Sequence, residues 1–263
     1  MSILRQVFTA RWQNNCTPMR TMPKVLIGTP TYEGKNYCLK QFIDNVRSFT
    51  YPSKFVDFVI FDNSNTPENA KYISKELGVK VVWKDYSDMG VIKKLFFTHE
   101  DIRLYAINNK YDYLLHLESD LFPPEDLIEQ LLWTRKDIVG VPYQLYGGGQ
   151  RKPITTGYDH REMYPDVYIG GLNIGFVHHY FFDGTVKRCT TNGIGCTLFK
   201  VNTIRNVPFR YVEGDDSAPD TWFTQDLLHH KLPYYVHTGL LAFHWNNEDW
   251  GKYAHMIQYD KTE

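Results

Sequence analysis

The chain is 263 residues long, 43% hydrophobic and 16% aromatic, enough for one sizeable core and without a composition break that would divide it. Lys+Arg 29 against Asp+Glu 30 leaves a formal net charge of −1, which excludes a global field recruiting nucleic acid or anionic lipid. Cys16, Cys38, Cys189 and Cys196 form no CxxC pair, there is no apolar run of 18 residues, and Arg5, Arg11 and Arg20 interrupt the start, so the expectation is a reduced, cytoplasmic setting without a transmembrane segment.

Residues 1–23 read as an N-terminal extension, and 24–263 as a single domain. From Lys24, KVLIGTPTYEGKNYCLKQFIDNVRSF reads as an apolar strand, Gly-Thr-Pro turn chemistry, then a helix with Leu39, Phe42, Ile43 and Val46 at helical spacing. The unit repeats in FVDFVIFDNSNTPENAKYISKEL, where the strand ends at Asp62-Asn63-Ser64-Asn65 and Thr66-Pro67-Glu68 opens a helix. A third strand, VKVVWKD, follows Gly78. Short strands alternating with helices predict a Rossmann-like α/β fold with a mostly parallel sheet flanked by helices. Ligands of such sheets gather at the carboxyl ends of strands, which singles out the loops at 29–34 and 62–66.

Next come a helix, a strand ending at Leu117, the tripeptide Glu118-Ser119-Asp120 and a helix opened by Pro123-Pro124-Glu125. The strand DIVGV leads into a Gly- and Tyr-rich stretch, and 146–183 reads as a flexible loop or hairpin or, functionally, as a lid. Gly147-Gly148-Gly149 is not a phosphate loop, because no GK[ST] follows. NGIGCTLFKVNTI reads as a turn, a strand and a helix, and the acidic stretch Glu213, Asp215, Asp216 and Asp220 precedes the helix TWFTQDLLHHKL. His244 and Trp245 follow the apolar strand GLLAF. His178-His179 and His229-His230 lack HExxH or CxxC company, which argues against zinc.

Glu118-Ser119-Asp120 leaves the sheet at a strand end, where one or two carboxylates can hold a hard cation while leaving positions open for phosphate oxygens. Asp120 is the stronger metal ligand of the two. The alternative is an exposed acidic turn capping the following helix.

VLIGTPTYEG, VIFDNSNT, HLESD, NGIGCTLFKVNTI and APDTWFTQDLLHHKLPYYVHTGLLAFHW occur in an order that resembles the GT-A glycosyltransferases, particularly family 2-like enzymes with a degenerate DxD motif, over roughly residues 24 to 245. The resemblance implies transfer of a sugar from a nucleotide diphosphate sugar, UDP- or GDP-linked, to an acceptor hydroxyl, with inversion. Residues 24–122 would hold the donor and 123–263 the acceptor, whose class (glycan, lipid, protein or modified nucleic acid base) stays open. Thr29, Pro30, Tyr32 and Glu33 match the loop around base and ribose, Asp62 and Asn63 the end that contacts the base, and Glu118, Ser119 and Asp120 the metal motif. Asp62 equally suits an Asx-turn, and Tyr32 a surface tyrosine. Asp220 matches the general base, with Asp226 as fallback because Pro219 stands where the family commonly has an acid. An N-cap accounts for Asp220 as well. His244 resembles the late metal-completing histidine, favouring Mn²⁺ over Mg²⁺. Lys93 and Lys94 are phosphate candidates that read better as a solvated helix face. The alternatives are a nucleotidyltransferase acting on sugar phosphates, although GTPTYEG lacks a basic residue before its final Gly, and a non-catalytic nucleotide-sugar-binding module.

Overall fold

The computed structural model describes residues 22–147, 182–215 and 217–245, with short strands between 150 and 176. The strand β1 (Val25–Thr31) is buried along its whole length, as a central strand must be. It pairs in parallel with β2 (Val56–Asp62), in a register running from Val25↔Val56 to Thr31↔Asp62. The crossover between them is a 3-10 turn at Glu33–Lys35 and α1 (Asn36–Arg47), which buries Cys38, Leu39, Phe42, Ile43 and Val46 on one face. After α2 (Glu68–Glu76), β3 (Lys80–Trp83) adds in parallel to β2; after α3 (Val91–Asn108), β4 (Tyr113–Leu117) adds in parallel to the other side of β1. At Gly28 a Cβ would lie 2.5 Å from Ile102 Cγ2, so the close seating of α3 on β1 requires glycine there.

The remaining elements are β5 (Leu121–Phe122), α4 (Leu127–Trp133), β6 (Ile138–Gly140), β7 (Gln144–Gly147), β8 (Gln150–Pro153), β9 (Thr156–Gly157), β10 (Tyr168–Ile169), β11 (Leu172–Asn173), β12 (Gly175–Phe176), β13 (Val186–Cys189), β14 (Cys196–Lys200), α5 (Pro219–His229), β15 (Tyr234–His237) and β16 (Phe243–His244). The main sheet runs β13-β15-β6-β14-β4-β1-β2-β3. It is parallel from β4 to β3 and between β15 and β6, while β14 lies antiparallel between β4 and β6. The mostly parallel α/β architecture expected from the strand–helix alternation is therefore present. Alternate residues face two cores: Val25, Ile27, Leu115 and Leu198 meet α1 and α4, and Leu26, Leu114 and Phe199 meet α3 and α5. No helix among the described residues is long and apolar enough to cross a membrane.

Several local expectations shift. Thr29-Pro30-Thr31 continues β1 instead of turning; Pro30 is tolerated because the ladder to β4 stops at Gly28, leaving β1 a single neighbour there. No helix follows β14: residues 201–206 form turns, and Arg103 Nη1 donates to the carbonyls of Ile204 (3.1 Å) and Arg205 (2.8 Å). The helix expected from Thr221 starts at Pro219 with Ala218 as N-cap, Pro serving as a first-turn residue. The proposed lid at 146–183 is described only as strand fragments and its last two residues. The extension up to residue 21 and the His178-His179 pair lie outside the described residues.

A buried histidine pair ties α3 to β4. His99 Nδ1 lies 2.7 Å from His116 Nε2, and His116 Nδ1 donates to the Ile194 carbonyl at 2.8 Å. Burial pushes His116 down to about 4 and, with the neighbouring ring, holds His99 well below its ordinary value. Both folded pKa values are depressed, so this contribution to stability is full above pH 6.5 and is lost as pH falls from there toward about 4, where the unfolded chain binds protons the native rings refuse. Each ring adds up to about 1.4 kcal/mol per pH unit to that slope. Urea unfolding at fixed pH values should show the slope flattened in the double variant His99→Gln, His116→Gln; an unchanged slope would contradict the depressed values.

Candidate active site

Because β4, β1 and β2 are parallel neighbours, the loops after them open on one edge of the sheet. They enclose a cavity of about 530 Å³. Pro30, Thr31, Tyr32, Glu33 and Lys35 line it from β1 and its loop, Asn63, Ser64 and Asn65 from beyond β2, Glu118, Ser119 and Asp120 from beyond β4, and Val91, Lys94, Leu95 and His99 from α3. The sequence-derived residues Pro30, Tyr32, Glu33, Asn63, Glu118, Ser119 and Asp120 thus share one wall.

Thr29 and Asp62 are fully buried and stand behind it. Asp62 Oδ1 accepts from Ser64 Oγ (2.6 Å), Ser64 N (3.2 Å) and Asn69 Nδ2 (3.1 Å), an Asx-turn that shapes the loop after β2. Burial raises its pKa despite these bonds, and Oδ2 has no partner among the described residues. The same loop is clamped from two sides: Glu33 N donates to Ser64 Oγ at 3.0 Å, and Asn63 Nδ2 donates to Thr98 Oγ1 at 3.1 Å. Tyr32 is 45% exposed, with its ring folded back over Gly34, where a Cβ would lie 2.3 Å from the ring.

On the β4 side, Thr31 Oγ1 and Ser119 Oγ are 3.0 Å apart, joining two of the loops. Lys35 Nζ forms an ion pair with Asp120 Oδ2, and His244 Nε2 lies 3.4 Å from the same oxygen. His244 arrives there because β16 pairs antiparallel with β5, His244↔Leu121, and Trp245 N donates to Asp120 O at 2.8 Å. Burial alone would raise Asp120, but His244 and Lys35 outweigh it and hold the carboxyl below its ordinary value. Burial likewise opposes the Lys35 ammonium, and Asp120 outweighs it, raising the lysine. Glu118 goes the other way: burial first, and then the charge of Asp120, push it up to about 7. Its carboxylate lies against Gly195, where a Cβ would meet Glu118 Oε2 and the Tyr143 hydroxyl at 2.8 Å each.

Asp220 is the second residue of α5 and sits close enough for its charge to raise both Glu118 and Tyr143. Burial raises Asp220 itself, against backbone N–H groups of the first helical turn. Asp226 is committed elsewhere, in a bidentate pair with Arg210 (2.7 and 3.0 Å) whose guanidinium covers the Trp222 ring.

Asp120 and His244 offer one carboxylate oxygen and one imidazole nitrogen at a single point, a donor pair that suits Mn²⁺ if a bound diphosphate completes the shell. The described residues contain no group of three His, Cys, Asp or Glu that could hold a metal without such help. The donor pair fits a metal on the condition that Lys35 yields Oδ2, which its ammonium holds.

Lys35 and His99 are wall residues that the sequence alone did not single out, whereas Ser64 and Asn65 lie in the 62–66 loop that it did. A lysine immediately before a helix start, as Lys35 is before α1, is unfavourable against the helix dipole unless an anion faces it, and that is a usable signal. Lys94 does reach the wall, bonding Asn65 Oδ1, whereas Lys93 pairs with Glu213 at 3.5 Å.

No family model matches the sequence, and no curated protein matches it. Among solved structures the chain is similar to S. aureus TarS 1–349 in complex with UDP-GlcNAc, with a TM-score of 0.50 and 12% identity over 86% of this chain and 60% of that one. TarS 1–349 crystallised separately gives 0.49 and 13% over 87% and 62%, and the longer TarS structure 0.45 and 12% over 85% and 35%. The chain therefore spans less than two thirds of the length of these structures, and at such identity the likeness establishes a GT-A-like fold.

Gly195→Ala should push Glu118 and Tyr143 apart, destabilising the fold by about 1–3 kcal/mol as an overpacked buried position does. Gly90→Ala, where nothing lies within 4 Å of the added methyl and only the N-cap preference of α3 changes, should cost no more than about 1 kcal/mol. Chemical denaturation of the two variants side by side checks the contrast; equal effects would remove the steric argument.

Proposed function

We propose that this protein is a glycosyltransferase that moves a sugar from a nucleoside diphosphate sugar to an acceptor hydroxyl with inversion. The observation that carries the reading is the cavity at three parallel strand ends, with amide and hydroxyl groups after β2 and the Lys35–Asp120–Glu118 cluster after β4. Those two flanks suit a nucleoside and a diphosphate. The GT-A-like fold shared with TarS, which has been solved with UDP-GlcNAc, supports a nucleotide-sugar donor, UDP- or GDP-linked.

In this reading Tyr32, Glu33 and Asn63 contact base and ribose, with Ser119 at the ribose–phosphate junction. Thr29, Pro30 and Asp62 hold the loops that present them. Lys35 and Lys94 approach the diphosphate, whose negative charge an ammonium in a partly dehydrated site offsets well. Asp120 and His244 would hold Mn²⁺ (or Mg²⁺), which supplies further charge neutralisation on the leaving diphosphate. The acceptor oxygen attacks the anomeric carbon, the bond from that carbon to the phosphate oxygen breaks, and the acceptor proton passes to Asp220. A carboxyl raised by burial is a better base for that proton than an ordinary aspartate. Residues 24–263 are proposed to form one domain, the donor bound mainly by 24–122 and the acceptor by 123–263, and the protein is placed in the cytoplasm.

Incubation with a panel of UDP- and GDP-sugars, with and without Mn²⁺, should show donor turnover that requires the metal. Asp120→Asn should lose the Mn²⁺-dependent turnover. Asp220→Asn should lower kcat about 100-fold or more while nucleotide affinity is kept, since only the carboxylate accepts the proton. If Asp220→Asn turns over normally and Asp226→Asn does not, the base is misassigned. If nucleotide binds but no sugar is ever released or transferred, the protein is a binding module.

A further inference from the structure

The histidine pair that joins α3 to β4 also fixes the protonation pattern of one nitrogen of a cavity-wall residue. A carbonyl oxygen only accepts, so the 2.8 Å contact to Ile194 puts the proton of His116 on Nδ1. His116 Nε2 is then a lone pair, and the 2.7 Å contact makes His99 Nδ1 the donor to it. His99 Nε2 is left as a bare acceptor. Burial keeps both rings neutral, which preserves this pattern.

His99 is only 4% exposed and lines the cavity, and its bond to His116 is made by Nδ1 and not by Nε2. A lone pair on the wall of a partly dehydrated cavity gains from a donor that a ligand supplies. Val91 and Leu95 lie eight and four residues before His99, a spacing that stacks all three on one face of α3, and all three line the cavity. Two aliphatic side chains leading to a lone pair suit a flat ring whose edge carries an N–H. A ribose hydroxyl is the alternative donor, and Asn63, Ser64 and Asn65 after β2 line the same cavity as other polar partners for it.

We propose that His99 Nε2 reads the nucleobase of the donor, accepting the ring N–H of uracil (N3) or guanine (N1) and rejecting cytosine and adenine, which present a lone pair at the matching position. This rests on the nucleoside diphosphate reading above. It makes His99, and not Asp62 behind the wall, the base-selecting acceptor. Asp62 Oδ2 is the rival, since it is buried without a partner among the described residues.

Calorimetric titration with UDP, CDP, GDP, ADP and N3-methyl-UDP tests this. The expected result on the unmodified protein is that UDP binds about tenfold or more tightly than CDP and than N3-methyl-UDP, or GDP than ADP by a similar factor. His99→Gln, whose amide can donate or accept, should bring the preferred nucleotide and its counterpart within about threefold, while Asp62→Asn keeps the preference. The N3-methyl-UDP and ADP comparisons need no variant, so a misfolded His99→Gln leaves the proposal open to refutation. UDP binding as weakly as CDP with GDP no better than ADP overturns the proposal and leaves the transferase reading intact. A preference that survives His99→Gln and vanishes in Asp62→Asn moves the role to Asp62. Binding of none of the five overturns both.

Discussion

The carboxylate of Asp120 is the group around which the site is assembled. Its side chain is almost fully buried, and an isolated charge there would be prohibitive, so the loop after β4 can hold this place only if counter-charge arrives from elsewhere. Lys35 supplies it from the turn after β1, and His244 comes from β16 on the same oxygen. One buried charge thereby locks three chain segments into a shared geometry, and β16 owes its position beside β5 to the same neighbourhood.

That arrangement separates two carboxyl groups only two residues apart in the chain. Asp120 is held ionised by its partners, while Glu118, turned toward Gly195 and the Tyr143 hydroxyl, is pushed to about 7 and can carry a proton. Like charges in one partly dehydrated space settle in this way when the same cations, here Lys35 and His244, bond one of them directly and act on the other only through their field. A site with one permanent anion and one proton-sharing neighbour can admit a cation or an ammonium-bearing contact without accumulating two unpaired negative charges. Asp220, which adds to the field on Glu118, belongs to the same electrostatic unit although α5 delivers it from far along the chain.

The flank of the cavity after β2 is held more by hydrogen bonds than by charge. Thr31 to Ser119, Glu33 to Ser64 and Asn63 to Thr98 each link a loop to a different element, so the wall is set before a ligand arrives. Preformed loops lower the ordering entropy that binding must otherwise overcome. The His99–His116–Ile194 chain extends the same logic into the core, where a buried donor–acceptor sequence has one consistent direction.

Much of the fold was legible in the residues alone because its signals are local. Strand-length apolar runs, helical spacing of Leu39, Phe42 and Ile43, and polar strand ends at Asp62 and Glu118 depend on neighbours in sequence, and they placed β1, β2, β4 and the tripeptide after β4 correctly. They erred where a long-range contact competes with local preference: Pro30 stays extended because its strand has one neighbour, and the segment after β14 forgoes a helix while Arg103 holds its carbonyls. Within the site, the residues of the strand ends were readable, but Lys35, His99 and the commitment of Asp226 to Arg210 were not. Nothing in their spacing announces that 35, 120 and 244 meet, or that 99, 116 and 194 do. Their meeting follows from the sheet order and from the clearance left at Gly28 and Gly195, because a side chain's partner, its burial and hence its protonation are properties of packing in three dimensions.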